Sequence, residues 1–112
     1  MAGENERTFG SAIAAKRKEL GLSQKQLADR IKREEGGPIS PQYLNDIEHD
    51  RRSPSSDHMI QEFARELKMS PNFLYYLVGR VPADVRQLPL TPRQVDRLVT
   101  AFRRSVPTRK AS

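Results

Sequence analysis

The chain contains no cysteine and no tryptophan among its 112 residues. Disulfide staples and thiolate zinc sites are therefore excluded. Histidine is nearly as scarce: His49 and His58 are the two imidazoles, and neither lies at metal-ligand spacing from other donors, so no metal is expected. Aromatic residues make up 6% and hydrophobic residues 36%, enough for a modest core but not for a large enzyme cleft. No apolar run approaches the roughly 18 residues that a membrane span needs, and residues 1–10 lack the apolar core of a signal peptide. The expectation is a soluble cytoplasmic protein with no membrane contact, built as one small domain with an added helix and loose ends. Catalytic equipment is missing as well. There is no glycine-rich phosphate loop and no carboxylate pair in an apolar setting, and two isolated histidines do not make a triad. Neither enzymatic activity nor a cofactor is expected.

What the chain does have is positive charge. Lys+Arg number 20 against 14 Asp+Glu, giving +6 and a pI near 10.1. That balance suits a polyanionic partner, although simple solubility would also use it. The charge is uneven: residues 1–50 hold 8 basic and 9 acidic residues, net −1, whereas residues 51–112 hold 12 and 5, net +7. Charge alone would put a polyanion contact in the second half.

Local signals read as helices throughout. Phe9, Ile13 and Leu20 share one face at helical spacing, with Arg17 near it, so residues 8–20 form an amphipathic helix that Gly21 stops. SQKQ at 23–26 is a capping box opening a second helix with Leu27, Ala28 and Ile31 inward. Gly36-Gly37-Pro38 breaks that helix. Ser40-Pro41 is an N-cap followed by proline at the first helical position, starting a third helix through about His49. Its Leu44 and Ile47 turn inward. A turn at 53–57 leads to a helix carrying Met59, Ile60, Phe63, Ala64 and Leu67, and Ser70-Pro71 repeats the start signal for a fifth helix closed by Gly79. Residues 81–90, with Pro82 and Pro89, read as a linker. TPRQ at 91–94 then caps a helix over 91–104 whose Val95, Leu98, Val99 and Phe102 form one apolar stripe. No useful segment alternates with period two. The fold class is all-α: a five-helix domain at 8–80 plus a sixth helix, between a flexible N-terminus at 1–7 and a flexible basic tail at 105–112.

Five short helices with a short connection between the second and third form a helix-turn-helix layout. LSQKQLA at 22–28, ISPQYLNDIE at 39–48, RRSPS at 51–55 and the Leu-x-x-Ser-Pro-x-x-Leu-Tyr pattern ending at Tyr75 together resemble the Xre/Cro family of phage-repressor-type regulators. The resemblance covers about residues 9–79. It implies a sequence-specific double-stranded DNA-binding regulator, acting as a repressor on an inverted-repeat operator in a bacterial or phage setting. The third helix would enter the major groove. On it, Gln42 would pair with adenine through its carboxamide, Tyr43 would meet a thymine methyl or a phosphate, and Asn45 is the next exposed carboxamide. Asp46 would accept from cytosine N4 or repel wrong sequences. The resemblance further implies phosphate contacts from Gln24, Lys25 and Ser40 at helix starts, and from Arg51 and Arg52 just past the reading helix. Arg17 and Glu48 match a family position pair that forms a structural ion pair.

Two features depart from the family pattern. The chain between Ala28 and Ser40 is longer than a tight turn allows, so residues 32–38 either lengthen the second helix or bulge as a loop beside the groove. The reading helix is also locally acidic, with Asp46, Glu48 and Asp50 close together. The stripe on the sixth helix has three possible fates: packing on its own domain, mating with a twin in a homodimer, or receiving another protein. Its opposite face carries Arg93, Arg97, Arg103 and Arg104, with Arg109 and Lys110 beyond, available to DNA or simply solvated. A second function class follows from the third fate, an antitoxin or protein-interaction module that uses the same domain with a partner on the C-terminal helix.

Overall fold

Six Ser or Thr residues punctuate the chain, each accepting a hydrogen bond from the backbone N–H three residues on. Thr8, Ser23, Ser40, Ser56, Ser70 and Thr91 cap α1 (Phe9–Glu19), α2 (Gln24–Arg30), α3 (Pro41–Glu48), α4 (Asp57–Leu67), α5 (Pro71–Val78) and α7 (Pro92–Ser105). Such caps satisfy N–H groups that a helix start leaves unpaired, typically stabilising it by about 1 kcal/mol each. The computed structural model describes residues 3–4 and 6–107. Arg109 and Lys110, the distal part of the basic tail and part of the 1–7 segment lie outside the described residues.

The described residues form an all-α fold of seven helices, one more than the sequence signals predict. The stretch read as a linker contains a one-turn helix, α6 (Ala83–Arg86). Pro82 is compatible with it because it sits at the N-cap, ahead of the helical hydrogen bonds, rather than inside them. A tether also holds α6 in place. The Arg86 guanidinium pairs with Asp57 at the start of α4, where Tyr75 also donates its hydroxyl to Asp57 Oδ1 at 3.0 Å. Arg86 holds the Asp57 carboxyl below its ordinary value against the opposing effect of burial, with Tyr75 and Arg80 assisting. Burial first, then the hydrogen bond to Asp57, pushes the Tyr75 phenol up.

The core is the meeting point of α1 to α5. Ile13, Leu27, Leu44, Ile60, Phe63 and Leu74 are fully buried, and Phe9 meets Phe63 edge-on with ring centroids 5.7 Å apart. Gly10 allows α1 to approach the end of α3. A Cβ there would lie 2.3 Å from the Ile47 carbonyl oxygen and 2.6 Å from Asp50 Oδ1. Asp50 itself adopts a left-handed φ of 59° and accepts from the Gly10 N–H at 3.0 Å. Asp tolerates that conformation better than most residues.

The insert bulges rather than lengthening α2. Ile31 N–H ends the helix, and Ile39 N–H then returns to the Ile31 carbonyl at 3.0 Å, so two buried isoleucines close the loop at its base. Within it, Lys32 and Pro38 form an isolated bridge and Gly36 and Gly37 turn with φ of 97° and 78°. From α4, Glu62 accepts from the Lys32 N–H at 2.9 Å and the His58 Nε2 meets the Lys32 carbonyl at 2.8 Å. Burial pushes the Glu62 carboxyl up, but the Lys32 N–H and Arg65 outweigh it and leave it below its ordinary value. His58 is thus an anchor for this loop.

Gly10→Ala is expected to destabilise the fold by about 1–3 kcal/mol, because the clash is with backbone rather than a movable side chain. Denaturant unfolding checks this, and unchanged stability would show that α1 does not approach α3 so closely. The Asp57 tether has a defined pH sign. Its carboxyl is lowered in the fold, so the stabilisation is complete above the ordinary carboxylate range and fades as pH falls through the lowered value. In a carboxyl NMR titration, Arg86→Gln should move the Asp57 midpoint upward. A midpoint that stays put would contradict the pairing.

Candidate nucleic-acid interface

The outer face of α3 is set by what its inner face must do. Leu44 and Ile47 are fully buried, which by helical periodicity turns Gln42, Asn45 and Asp46 outward. Gln42 is exposed, while Tyr43, Asn45 and Asp46 are half-buried. Tyr43 leans partly on the core, and the Arg52 guanidinium lies over its ring, 5.4 Å from the centroid.

Behind this face lies a buried ionic joint. Arg17 on α1 donates from Nε to Glu48 Oε2 at 2.6 Å and from Nη2 to Oε1 at 3.0 Å, a bidentate pair. Its Nη1 donates to the Leu22 carbonyl at 2.9 Å. Glu48 is 3% exposed at its side chain, so this charge is compensated inside the fold. Gln24 completes the joint from α2, donating from Nε2 to Glu48 Oε1 at 2.9 Å and to Asn45 Oδ1 at 3.0 Å. Gln24, expected at a phosphate, thus directs its amide nitrogen to Glu48 and Asn45.

The end of α3 sets the arginines. The Asp46 carbonyl accepts from the Arg51 N–H at 2.8 Å and the Arg52 N–H at 3.3 Å. On the side-chain side, Asp46 Oδ1 accepts from Arg51 Nε at 3.1 Å and from Gln42 Nε2 at 3.0 Å. His49 Nδ1 meets the Asn45 carbonyl at 2.8 Å, a local cap. Ser40 Oγ accepts from the Tyr43 N–H at 3.0 Å, and Lys25 is exposed near the start of α2. Beside the start of α3, the insert borders a groove of about 640 Å³ lined by Asp29, Arg33, Glu34, Glu35, Ser40 and Tyr43.

The arrangement therefore brings Gln42, Tyr43, Asn45, Asp46, Arg51 and Arg52 onto one surface patch with Gln24 beneath it. The C-terminal stripe is elsewhere. Val95, Leu98, Val99 and Phe102 are 43%, 52%, 41% and 56% exposed, and no residue of α7 is buried. They line an apolar groove of about 650 Å³ shared with Tyr76, Val81, Val85 and Leu88. Sequence reasoning missed the role of Gly10 and Asp50 in seating α3, which no local pattern signals. It also missed the Asp46 contacts, although the four-residue spacing from Gln42 is a usable sign.

Among the described residues, no group of three or more His, Asp or Glu side chains could hold a metal ion, and no helix is long and apolar enough to cross a membrane. A protein-family model described as helix-turn-helix matches residues 13–74, more than half of the chain. Comparison with curated proteins and with solved structures gives no match.

Proposed function

The chain belongs to the Xre/Cro-type helix-turn-helix family of DNA-binding transcription regulators, and from that membership we propose that it is a repressor that occludes a promoter by reading an inverted-repeat operator as a dimer. The observation that carries this reading is the patch on α3: an exposed carboxamide at Gln42, with Arg51 and Arg52 immediately beyond the helix. α3 lies in the major groove. Gln42 pairs with an adenine edge and Tyr43 packs on a thymine methyl, with Asn45 and Asp46 on the adjoining turn. Arg51 and Arg52 clamp the phosphate backbone on one side, and Lys25 and Ser40 hold it on the other, with Gln24 supporting Asn45 from beneath. Phosphate contacts supply most of the affinity and make it salt-dependent, whereas the base contacts choose the sequence. The mechanism needs no cofactor and takes place on the genome, in the cytoplasm of a bacterial or phage-infected cell.

Two copies are needed because one module makes few base contacts, and the family's two-fold geometry matches half-sites about one helical turn apart. The stripe Val95, Leu98, Val99 and Phe102 supplies the contact between copies. Its support is the exposure of four large apolar side chains on one helix face, which water disfavours.

The reading is tested by selecting bound fragments from the source genome at two salt concentrations. An enriched short inverted repeat that persists at the higher salt is expected; unselective binding that vanishes with salt would overturn operator reading. On the selected site, Gln42→Ala should lose about 1–3 kcal/mol of discrimination at one base pair. Arg51→Ala should weaken all sequences alike and lower the salt slope by roughly one unit. Equal losses on specific and random DNA from both changes would exclude this docking. Leu98→Glu should convert a dimer to a monomer in sedimentation and weaken inverted-repeat binding by about 100-fold, with half-site binding retained. A wild-type protein that is already monomeric at micromolar concentration would instead favour the antitoxin reading, in which α7 receives a different protein.

A further inference from the structure

Asp46 sits on the DNA-facing patch, yet it already has two intramolecular donors. Gln42 Nε2 reaches its Oδ1 at 3.0 Å and Arg51 Nε reaches the same oxygen at 3.1 Å. Its side chain is 24% exposed, against 55% for Arg51. We infer that Asp46 is a positioning residue for base recognition: it sets the direction of the Gln42 carboxamide and anchors the Arg51 guanidinium, so that the base reader and the backbone clamp share one support. This inference rests on the docking of α3 proposed above.

The chemistry of the groups gives the contact a direction. A free carboxamide can rotate by half a turn and offers its donor and acceptor in either order. Adenine presents its N7 acceptor and N6 donor in one order, so a flipped amide meets it wrongly. A carboxylate only accepts, so the nitrogen of Gln42 must face Asp46 and the oxygen must face away. One Nε2 proton is used on Asp46, and the second, together with Oε1, remains for the base. Fixing this order before binding removes a rotamer cost from the bound state.

Arg51 is held in the same way. Its contact with Asp46 uses Nε, which leaves both terminal nitrogens of the fork directed to a phosphate. The backbone reinforces this, because the Asp46 carbonyl accepts from the Arg51 N–H at 2.8 Å. The arrangement also accounts for an acidic side chain on a surface that faces phosphates. Its charge is offset by Arg51 rather than presented bare to the DNA.

The test is selection from a randomised duplex library with wild-type protein and the Asp46→Ala, Asp46→Asn and Gln42→Ala variants. Affinities are then measured on the selected duplex and on a scrambled one. Asp46→Ala is expected to reduce adenine preference at the base pair read by Gln42 by about tenfold, with scrambled-duplex binding equal or tighter. Asp46→Asn keeps an acceptor oxygen but can also turn its amide nitrogen toward Gln42, so it should restore only part of the preference; a merely structural or repulsive role would not show that graded rescue. In wild-type background, Gln42→Ala and Arg51→Ala should couple in their effect on affinity, and the coupling should disappear with Asp46→Ala. Wild-type preference in Asp46→Ala overturns the positioning role alone. A loss confined to a different, C·G pair overturns it in favour of direct reading by Asp46. A Gln42→Ala variant that selects the same bases as wild type overturns the docking of α3 itself, and the inference with it.

Discussion

The bidentate pair between Arg17 and Glu48 is the joint on which the outer face of α3 depends. It spans α1 and α3, and the pair also engages the Leu22 carbonyl through Arg17 and Gln24 from the start of α2 through Glu48. Three helices are thus referred to one buried carboxylate. Buried ion pairs of this kind are weak contributors to net stability, since desolvation offsets much of the attraction. What they provide here is geometry. A planar guanidinium meeting a carboxylate in two parallel bonds tolerates little rotation, so α3 is fixed about its own axis as well as in position. Losing one partner would leave an uncompensated charge in the interior, which typically costs about 3–5 kcal/mol.

Around that joint, the contacts divide into those that seat α3 and those that use it. Gly10 and Asp50 bring the end of α3 against the start of α1, while Leu44 and Ile47 hold its inner face in the core. With the helix held at its C-terminal end and along one side, its outer face is free to carry polar groups. Those groups are nonetheless ordered. Asp46 gathers Gln42 and Arg51, Gln24 holds Asn45, and Arg52 lies on Tyr43. A surface whose side chains are already arranged loses less conformational freedom when it meets a ligand.

The acidity that looked awkward beside a polyanion resolves into three separate roles. Glu48 is buried against Arg17, Asp50 accepts from the Gly10 N–H, and Asp46 is paired with Arg51. Each of the three has a partner within the fold. The insert is likewise tied down rather than loose, its base closed by Ile31 and Ile39 and its backbone held by Glu62 and His58. The apolar face of α7 stands in contrast to all of this, since it shares a groove with α5 and α6 while remaining about half exposed.

Much of this was legible in the sequence. Caps at Ser23, Ser40, Ser70 and Thr91, prolines at first helical positions and apolar spacing marked six of the seven helices, because these signals act within one turn of chain. The buried faces followed from the same periodicity except at Leu20, which caps the end of α1 and is 38% exposed. The one-turn α6 escaped because four residues carry no period, and its tether to Asp57 crosses from one helix to another. The form of the insert, left open between helix and bulge, was decided by Ile31, Ile39 and anchors on α4 that lie far away in the chain. The seating of α3 on Gly10, the inward turn of Gln24 and the pairing of Asp46 with Arg51 were likewise decided only in three dimensions. Local composition determines which segments become helices and which faces are apolar, since those depend on neighbours along the chain. Which polar side chain faces a ligand and which supports its neighbour depends on distances across the fold, and only the packed tertiary structure supplies them.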